Sequence, residues 1–327
     1  MARKVIFDTD IGDDDAIALT ALFLSQDVEV IAITTTQGNL PLENVVDNAL
    51  RMVSYFDKDI PVYKGCSTPM VRTLTPGRAA NTLMQNVEKY VDGKKVTIHF
   101  ETLPLPKSNR KVEDKHACSY IVKTLTNTKE KIDICAIGPL TNIAMALRLN
   151  PSIVDNIGTI YIMGGGIYKA NRTPAAEANF YEDPEAAEIV LNSGANIVLC
   201  PIEGCETGAI FDINDLAYIG SIDNKAAKFV YDVIDGYTKR AEILFGKSAS
   251  ECCVYDYAAI AALLDSNVIS ESSDEVCHVE IGGGMADGEL VIDHRPYTPF
   301  KRNAHVIYEE DNSKAKELLF NLLKQYE

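Results

Sequence analysis

Short apolar runs alternate with helix-like segments along most of the 327-residue chain, and this alternation constrains the fold more than any other feature. Residues 5–7 and 28–35 have the β-branched composition of strands, whereas residues 16–24 between them have the apolar spacing of a helix. Parallel strands need long crossover connections, which helices usually supply. The order therefore predicts an α/β fold with a mainly parallel sheet flanked by helices, of the open, Rossmann-like kind.

The same alternation continues through the rest of the sequence. Further helices are predicted at 42–56, 117–126, from 142 onward and at 184–191, and further strands at 60–63, 132–137, 160–163 and 197–200. Ligands bind at the carboxyl ends of the strands in such sheets. An irregular, Pro-rich segment at 69–115 and a helical segment at 212–245 could overhang that edge. No repeat or linker divides the chain, so residues 1–327 are predicted to form one domain.

Composition restricts the partners of the chain. Its formal net charge is −16, which opposes binding to nucleic acids and anionic lipids unless a basic patch exists. The most basic stretch, 107–115, is interrupted by Glu113 and Asp114 and is interpreted as a solvated loop. No apolar stretch of 18 residues is present, and the eight scattered cysteines include no CxxC pair. The sequence thus predicts a cytoplasmic protein with reduced thiols that binds neither nucleic acid nor membrane.

Five aspartates crowd into eight residues directly after the first predicted strand, at positions 8, 10, 13, 14 and 15. Like charges at such spacing disfavour joint ionisation, and a hard divalent cation surrounded by oxygens is the usual remedy. Residues 13–15 could instead cap the following helix, which leaves Asp8 and Asp10 without a role. The spacing does not fit an EF-hand loop.

This cluster resembles the N-terminal signature of the nucleoside hydrolase family, DTDPGxDDA, with Ile11 in the place of proline. The resemblance continues in register at TQGN (36–39), AIGPLTN (136–142), MGG (163–165), 171–179, DPEAA (183–187) and YD (255–256). It implies the nucleoside hydrolase fold and hydrolysis of the N-glycosidic bond of ribonucleosides to ribose and free nucleobase. It also implies a homodimer or homotetramer.

The resemblance further implies the ligands of one Ca²⁺: the carboxylates of Asp10, Asp15 and Asp256 and the main-chain carbonyl of Thr141. Asp10 would act as the general base toward water. For Asp256 alone, capping of the helix that follows explains the residue equally well.

The ribose would be bound by polar side chains at further matched positions. The implied substrate-binding residues are Asp14, Asn39, Asn171, Glu177, Asn179 and Asp256, with Met163 beside the sugar. Asn171 and Asn179 could alternatively be turn residues. Asp183, Pro184 and Glu185 have a structural explanation as an N-cap, a first-turn proline and an acid favoured by the helix dipole.

The positions that would contact the nucleobase depart from the family pattern. Tyr255 stands where many relatives carry a histidine that protonates the leaving base, so we hypothesise that Tyr255 contacts or protonates the base; simple packing is the alternative. The family's HGxDGLG-like segment is missing, with 91–95 as its nearest counterpart, and Glu203 stands where an aspartate is common. The five histidines are interpreted as surface or structural residues. Trp is absent, so stacking would fall to Tyr231, Tyr237 or Phe180, and base specificity stays open.

Two other functions are compatible with parts of this sequence. A ribose- or nucleoside-binding protein of the same fold could have kept the cation site and lost catalysis. A haloacid-dehalogenase-like phosphatase would use Mg²⁺ and Asp8 as its nucleophile, but it would leave Asp14, Asp15, Asn39 and the 171–179 segment without a role.

Overall fold

The computed structural model describes residues 2–79, 87–246 and 250–326. The strands of this part of the chain are β1 (Arg3–Thr9), β2 (Val28–Thr35), β3 (Val62–Lys64), β4 (Glu88–Val91), β5 (Lys94–Thr97), β6 (Ile132–Ala136), β7 (Ile157–Met163), β8 (Ile197–Cys200), β9 (Ile210–Asp212), β10 (Glu251–Cys253), β11 (Ile269–Glu275), β12 (Cys277–Val279), β13 (Leu290–Ile292) and β14 (Ala304–Glu310). The helices are α1 (Asp13–Leu24), α2 (Leu42–Tyr55), α3 (Pro76–Ala79), α4 (Ala117–Asn127), α5 (Thr141–Leu149), α6 (Ala178–Glu182), α7 (Pro184–Leu191), α8 (Ile202–Gly208), α9 (Ile213–Gly220), α10 (Lys225–Phe245), α11 (Tyr255–Leu264) and α12 (Asn312–Lys324).

Eight strands form the central sheet, in the order β11-β14-β8-β7-β6-β1-β2-β3. From β3 across to β14 every neighbouring pair is parallel, and only the edge strand β11 runs antiparallel to its neighbour. The predicted mainly parallel sheet is confirmed. Its carboxyl edge gathers the ends of β1, β2, β6, β7 and β8.

Both faces of the sheet are covered, because alternate residues of β1 belong to different core clusters. Val5 and Phe7 pack in one cluster and Ile6 in the other, and all three are fully buried. A parallel strand covered on both faces needs apolar residues at successive positions. The continuous run at the start of the sequence meets this requirement.

Several predicted element boundaries are wrong, each for a local reason. Helix α1 begins at Asp13 rather than 16, because the main-chain N–H of Gly12 donates to Asp15 Oδ2 at 2.8 Å and starts the helix early. The segment 212–245 is two helices, α9 and α10, and the side chain of Asn224 caps the second. No helix within the described ranges is both long and apolar enough to cross a membrane.

The segment 69–115 is less irregular than predicted. It contains the β4–β5 hairpin, whose two turn residues are both left-handed, Asp92 with φ 49° and Gly93 with φ 75°. Asp-Gly at two positive φ angles is the favoured two-residue hairpin turn. The run 91–95, the nearest counterpart of the missing family segment, is therefore this hairpin turn.

Candidate active site

A cleft of about 710 Å³, including the space open to solvent, lies at the carboxyl edge of the sheet. This size is within the range of small-molecule sites. Its polar lining consists of Asp13, Asp14, Asn39, Asn171, Glu177, Asn179 and Asp256. Its apolar and aromatic lining comes mainly from α10, β10 and the start of α11, with Val233, Ile234, Tyr237, Cys252, Cys253, Val254 and Tyr255, and includes Ile17, His99, Ile137, Met163 and Ala178. The structure thus brings most of the sequence-predicted residues into one cavity.

The carboxylate of Asp10 fits between two glycines that belong to separate motifs. A Cβ at Gly38 would lie 2.1 Å from Asp10 Oδ2, and one at Gly138 would lie 2.7 Å from Oδ1. Any other residue at either position would displace this carboxylate. One oxygen, Oδ2, accepts a hydrogen bond from the main-chain N–H of Asn39 at 2.5 Å, whereas Oδ1 is buried and has no hydrogen-bond partner among the described residues.

Three further carboxylates converge beside Asp10. Asp14, Asp15 and Asp256 each place an oxygen within 4.8 Å of the others. Asp256 is the second residue of α11 and makes no capping hydrogen bond, since Val254 occupies the cap position. The capping explanation for Asp256 is therefore wrong. Asp14, which the resemblance assigned to the sugar, lies in this closest group, whereas Asp10 lies just outside it.

Burial raises the pKa values of these acids, and repulsion between neighbouring carboxylates adds to the rise for most of them. Burial raises the pKa of Asp14 and of Asp15 to about 6, and the charge of Asp14 adds to the rise for Asp15. Burial, followed by the charges of Asp14, Asp15 and Asp10, raises the pKa of Asp256 well above its ordinary range. The pKa of Asp10 is raised in the same way by burial and by Asp15. Such a set is costly to ionise without a cation, and its donors are all oxygens, which suits a hard divalent ion.

Thr141 begins α5 at the carboxyl end of β6. Its hydroxyl donates to Asp183 Oδ2 at 2.7 Å, so the side chain of Thr141 contacts the residue that caps α7. Asp183 also accepts from the main-chain N–H groups of Ala186 and Met70. Its predicted role as the N-cap of α7, with Pro184 following, is confirmed.

Three of the predicted sugar-binding residues, Asn171, Glu177 and Asn179, lie on the short helix α6 and the loop before it. Glu177 caps α6, accepting from the main-chain N–H groups of Asn179, Phe180 and Gly165 at 2.9 to 3.1 Å. Burial raises the pKa of Glu177 to about 7, and these N–H donors limit the rise. The amide of Asn179 donates to the carbonyls of Ile137 and Met163, which ties α6 to two strand ends.

Asn171 closes the loop that precedes α6. Its side-chain oxygen accepts from the main-chain N–H of Ala178 at 2.9 Å. This contact holds the two ends of the loop together, and Asn171 also lines the cleft. For Asn179 the turn interpretation is wrong, because the residue lies within α6.

Asp8 is separated from the cleft although it is two residues from Asp10. It is fully buried, and its Oδ2 accepts from the Thr34 hydroxyl at 2.6 Å and from the Asn142 amide at 2.8 Å. A phosphatase nucleophile must face its substrate. The structure therefore argues against the phosphatase hypothesis and gives Asp8 a supporting position behind the site.

The aromatic candidates divide clearly. Tyr237 lines the cleft, whereas Phe180 is fully buried beneath it and Tyr231 packs against Gly220.

The carboxylate of Glu203 accepts from the main-chain N–H groups of residues 167, 168 and 169 and therefore holds a loop. Tyr255 lines the cleft, and its hydroxyl donates to Glu206 Oε1 at 3.3 Å.

His99 is a cleft residue that the sequence interpretation missed. It lies beside Gly12 and faces the ring of Tyr237, with centroids 6.1 Å apart. Burial lowers the pKa of His99, and the charge of Asp13 opposes this shift. Cys252 and Cys253 of β10 were missed as well. No local motif marks these residues, because they reach the cleft from the β5 end and from a two-stranded ribbon far along the chain.

Comparison with known proteins gives a consistent result. Residues 5–317 match the family described as inosine-uridine preferring nucleoside hydrolase. The chain is 32% identical to the inosine-uridine preferring nucleoside hydrolase of Leishmania major over 337 residues, covering 99% of this chain and 98% of the relative. It is also 32% identical to the pyrimidine-specific ribonucleoside hydrolase RihA of Escherichia coli O1:K1 / APEC over 330 residues, covering all of both chains.

Solved structures agree with these sequence relatives. The purine-preferring ribonucleoside hydrolase from Gardnerella vaginalis superposes with a TM-score of 0.82 at 26% identity, covering 98% of this chain and 99% of that one. The match extends over nearly the whole chain and includes the strands whose ends form the cleft. The chain therefore belongs to the nucleoside hydrolase family, as its motifs predicted.

Proposed function

We propose that this protein hydrolyses the N-glycosidic bond of ribonucleosides, releasing ribose and the free nucleobase. The observation that carries the proposal is the buried carboxylate of Asp10, with one oxygen fixed by Asn39 and the other unpartnered beside the cleft. This is the geometry of a positioned base that accepts a proton from water. The names of the relatives, which include nucleoside hydrolases of several base preferences, support the same reaction.

We further propose that the cation is Ca²⁺, held by Asp10, Asp15, Asp256 and the carbonyl of Thr141, with Asp14 adjoining. The unpartnered oxygens of Asp10 and Asp14 and the all-oxygen donor set support this assignment. Bound there, Ca²⁺ would offset the repulsion among the carboxylates, keep Asp10 ionised and polarise water.

The chain's own residues then orient the sugar. Asn39 presents its side chain beside the fixed Asp10. Glu177 is held by the main-chain N–H of Gly165, and Asn179 is held by the carbonyls of Ile137 and Met163. Rigid acceptors and donors around ribose hydroxyls favour the ring conformation of an oxocarbenium-like transition state. Met163 closes the floor of the cleft next to Asn179.

The nucleobase would lie against the wall formed by α10, β10 and the start of α11. Tyr237 and His99 offer ring faces there, and Tyr255 offers a hydroxyl. Glu206 accepts from Tyr255 and forms an ion pair with Lys169, so it orients this hydroxyl. Burial and nearby negative charge raise the pKa of Tyr255, so it keeps its proton at neutral pH.

A screen of ribonucleosides for reducing-sugar release, with and without a chelator, tests the proposed reaction. We expect ribose release from at least one nucleoside, abolished by the chelator and restored by Ca²⁺. Metal and ribose binding without turnover would instead indicate a binding protein. Phosphate release from phosphomonoesters without ribose release would contradict the proposal.

Replacing Tyr255 with Phe should lower kcat on nucleosides by about tenfold to a hundredfold, less than the loss of a primary base, because only help to the departing nucleobase is removed. The measurement is kcat on a nucleoside compared with kcat on nitrophenyl riboside, whose leaving group needs no proton. An equal loss on both substrates would contradict the role in leaving-group activation. Removing the orienting carboxylate with Glu206→Gln should give a smaller loss of the same kind.

The pH dependence of kcat/KM should show an acid limb to which Glu177 contributes. Its pKa is raised to about 7 by burial, so the carboxylate fraction falls as the pH drops through this value and the grip on the sugar weakens. In Glu177→Gln the group no longer titrates, and the limb should move to lower pH while the maximal kcat/KM falls. A pH profile of the variant that parallels the wild-type profile would show that Glu177 is not the titrating group.

We also propose that residues 1–327 form one domain and that the protein is a cytoplasmic homo-oligomer. The core clusters that run from β1 to α12 support a single domain. The eight cysteines are all free, which supports a reducing location.

A further inference from the structure

Two cysteines and a histidine meet at the edge of the sheet, outside the cleft. Cys66 follows β3 by two residues, Cys118 is the second residue of α4, and His116 is the N-cap of the same helix. Cys118 is buried, Cys66 is half-buried and His116 is exposed. The catalytic proposal uses none of these side chains.

The separations match those of ligands around one ion. The two Sγ atoms lie 3.8 Å apart, and an imidazole nitrogen of His116 and both sulfurs all lie within 4.8 Å of one another. Two thiolates bound to one tetrahedral Zn²⁺ at about 2.3 Å stand about 3.8 Å apart. We propose that Cys66, Cys118 and His116 form a second metal site that binds a thiophilic divalent cation of the Zn²⁺ type, distinct from the carboxylate site.

The chemistry of this donor set separates it from the carboxylate group. Sulfur and imidazole ligands select Zn²⁺ and similar ions, whereas the all-oxygen set in the cleft selects harder ions. Binding would displace the two thiol protons to solvent and leave the fourth position to water, since exposed His116 opens the site on one side. The site is thus accessible without any rearrangement of the core.

Another thiol pair in the same chain lacks these features. Cys200 and Cys205 have their sulfurs 3.6 Å apart, but both are fully buried and belong to no metal-capable group within the described ranges. Close thiols alone therefore do not make the proposed site. This second pair serves as an internal control.

The proposed site braces the loop behind the catalytic residues. The carbonyl of Cys66 accepts from the main-chain N–H of Gln37 at 3.0 Å, and its N–H donates to Asn142 Oδ1 at 2.9 Å. Asn142 in turn donates to Asp8. Metal occupancy would fix the end of β3 against α4 and thereby the 36–39 segment that carries Gly38 and Asn39. We expect it to stabilise the fold without being required for turnover.

The test is a Co²⁺ titration of the full chain, reduced with a phosphine and held in excess Ca²⁺ so that the carboxylate site is filled. We expect one Co²⁺ per chain with a near-ultraviolet thiolate-to-metal absorption band, displaced by Zn²⁺. Cys66→Ser and Cys118→Ser should each remove the band. His116→Asn keeps a capping oxygen for α4 and should weaken Co²⁺ binding by at least about tenfold, the cost of losing even an outer-shell partner.

The matched control is Cys200→Ser, which removes one member of the other close pair and should leave the band unchanged. Circular dichroism confirms that each variant is folded. Absence of the band in reduced, folded protein would overturn the proposal. A Cys66–Cys118 disulfide that forms in air, in a protein that binds no Co²⁺ once reduced, would overturn it as well. Neither result depends on nucleoside hydrolysis, so the proposed catalytic function is tested separately.

Discussion

Asp10→Asn should lower kcat for nucleoside hydrolysis by about 10²- to 10⁴-fold, the range expected when a general base is removed. The amide has nearly the same shape as the carboxylate and can still accept from the main-chain N–H of Asn39, so the fold should be kept. The measurement is the rate of ribose release at a saturating concentration of one nucleoside, together with a thermal unfolding curve. Near-normal kcat in a folded variant would show that Asp10 is not the base.

The matched control for this variant is Asp8→Asn. Asp8 lies two residues away and is equally buried, but its carboxylate is held by Thr34 and Asn142 rather than by the cleft residue Asn39. Its Oδ2 accepts both hydrogen bonds and its Oδ1 has none, so an asparagine oxygen at the Oδ2 position preserves both contacts. We expect a loss of kcat smaller than about tenfold, since no contact to the reacting groups changes. A loss as large as that of Asp10→Asn would contradict the supporting position assigned to Asp8.

Removal of the metal should abolish turnover and destabilise the protein at neutral pH. Without a cation, Asp14, Asp15 and Asp256 repel one another within 4.8 Å in a buried cluster. An ion at a hundred times its dissociation constant adds about 2.7 kcal/mol to the free energy of unfolding. Chelation followed by back-titration with Ca²⁺ or Mg²⁺, monitored by kcat and by the unfolding temperature, measures both effects.

Asp256→Asn separates the two contributions in this cluster. It removes a carboxyl group that must give up its proton before it can bind the ion, so the variant should gain less stability from Ca²⁺ than the wild type does. Its kcat should fall by a factor of at least about a hundred, because a ligand and a ribose contact are both changed. A variant stabilised by Ca²⁺ as strongly as the wild type would exclude Asp256 from the metal site.

The part of the fold that could be predicted is the part with repeated local signals. From β1 to β8, β-branched runs alternate with helical spacing, and β2, β8 and α7 lie within the predicted bounds. The C-terminal strands carry no such signal. β11 reads ISESSDE, a polar sequence that is exposed or half-buried up to its last residue, because it is an antiparallel edge strand with one neighbour. Only pairing with β14 identifies it as part of the sheet.

The candidate site divides in the same way. The aspartates after β1, the motif glycines and the 171–179 segment are recognisable in the sequence because each follows a strand whose end faces the same edge. His99, Cys252 and Cys253 are not recognisable, since their neighbours along the chain give no indication that a hairpin and a ribbon fold over the cleft.

The sequence by itself determined the sheet, the edge at which ligands bind and the family to which the chain belongs, since these depend on periodicity and on motifs that each span a few residues. The tertiary structure decided which carboxylates lie close enough to share one cation and which side chains form the apolar wall of the cleft. It placed Asp14 with Asp15 and Asp256, hid Asp8 behind Thr34 and Asn142, and brought His99 to the cleft. Distances between residues far apart in the chain are fixed by packing of the whole domain, and no local pattern records them.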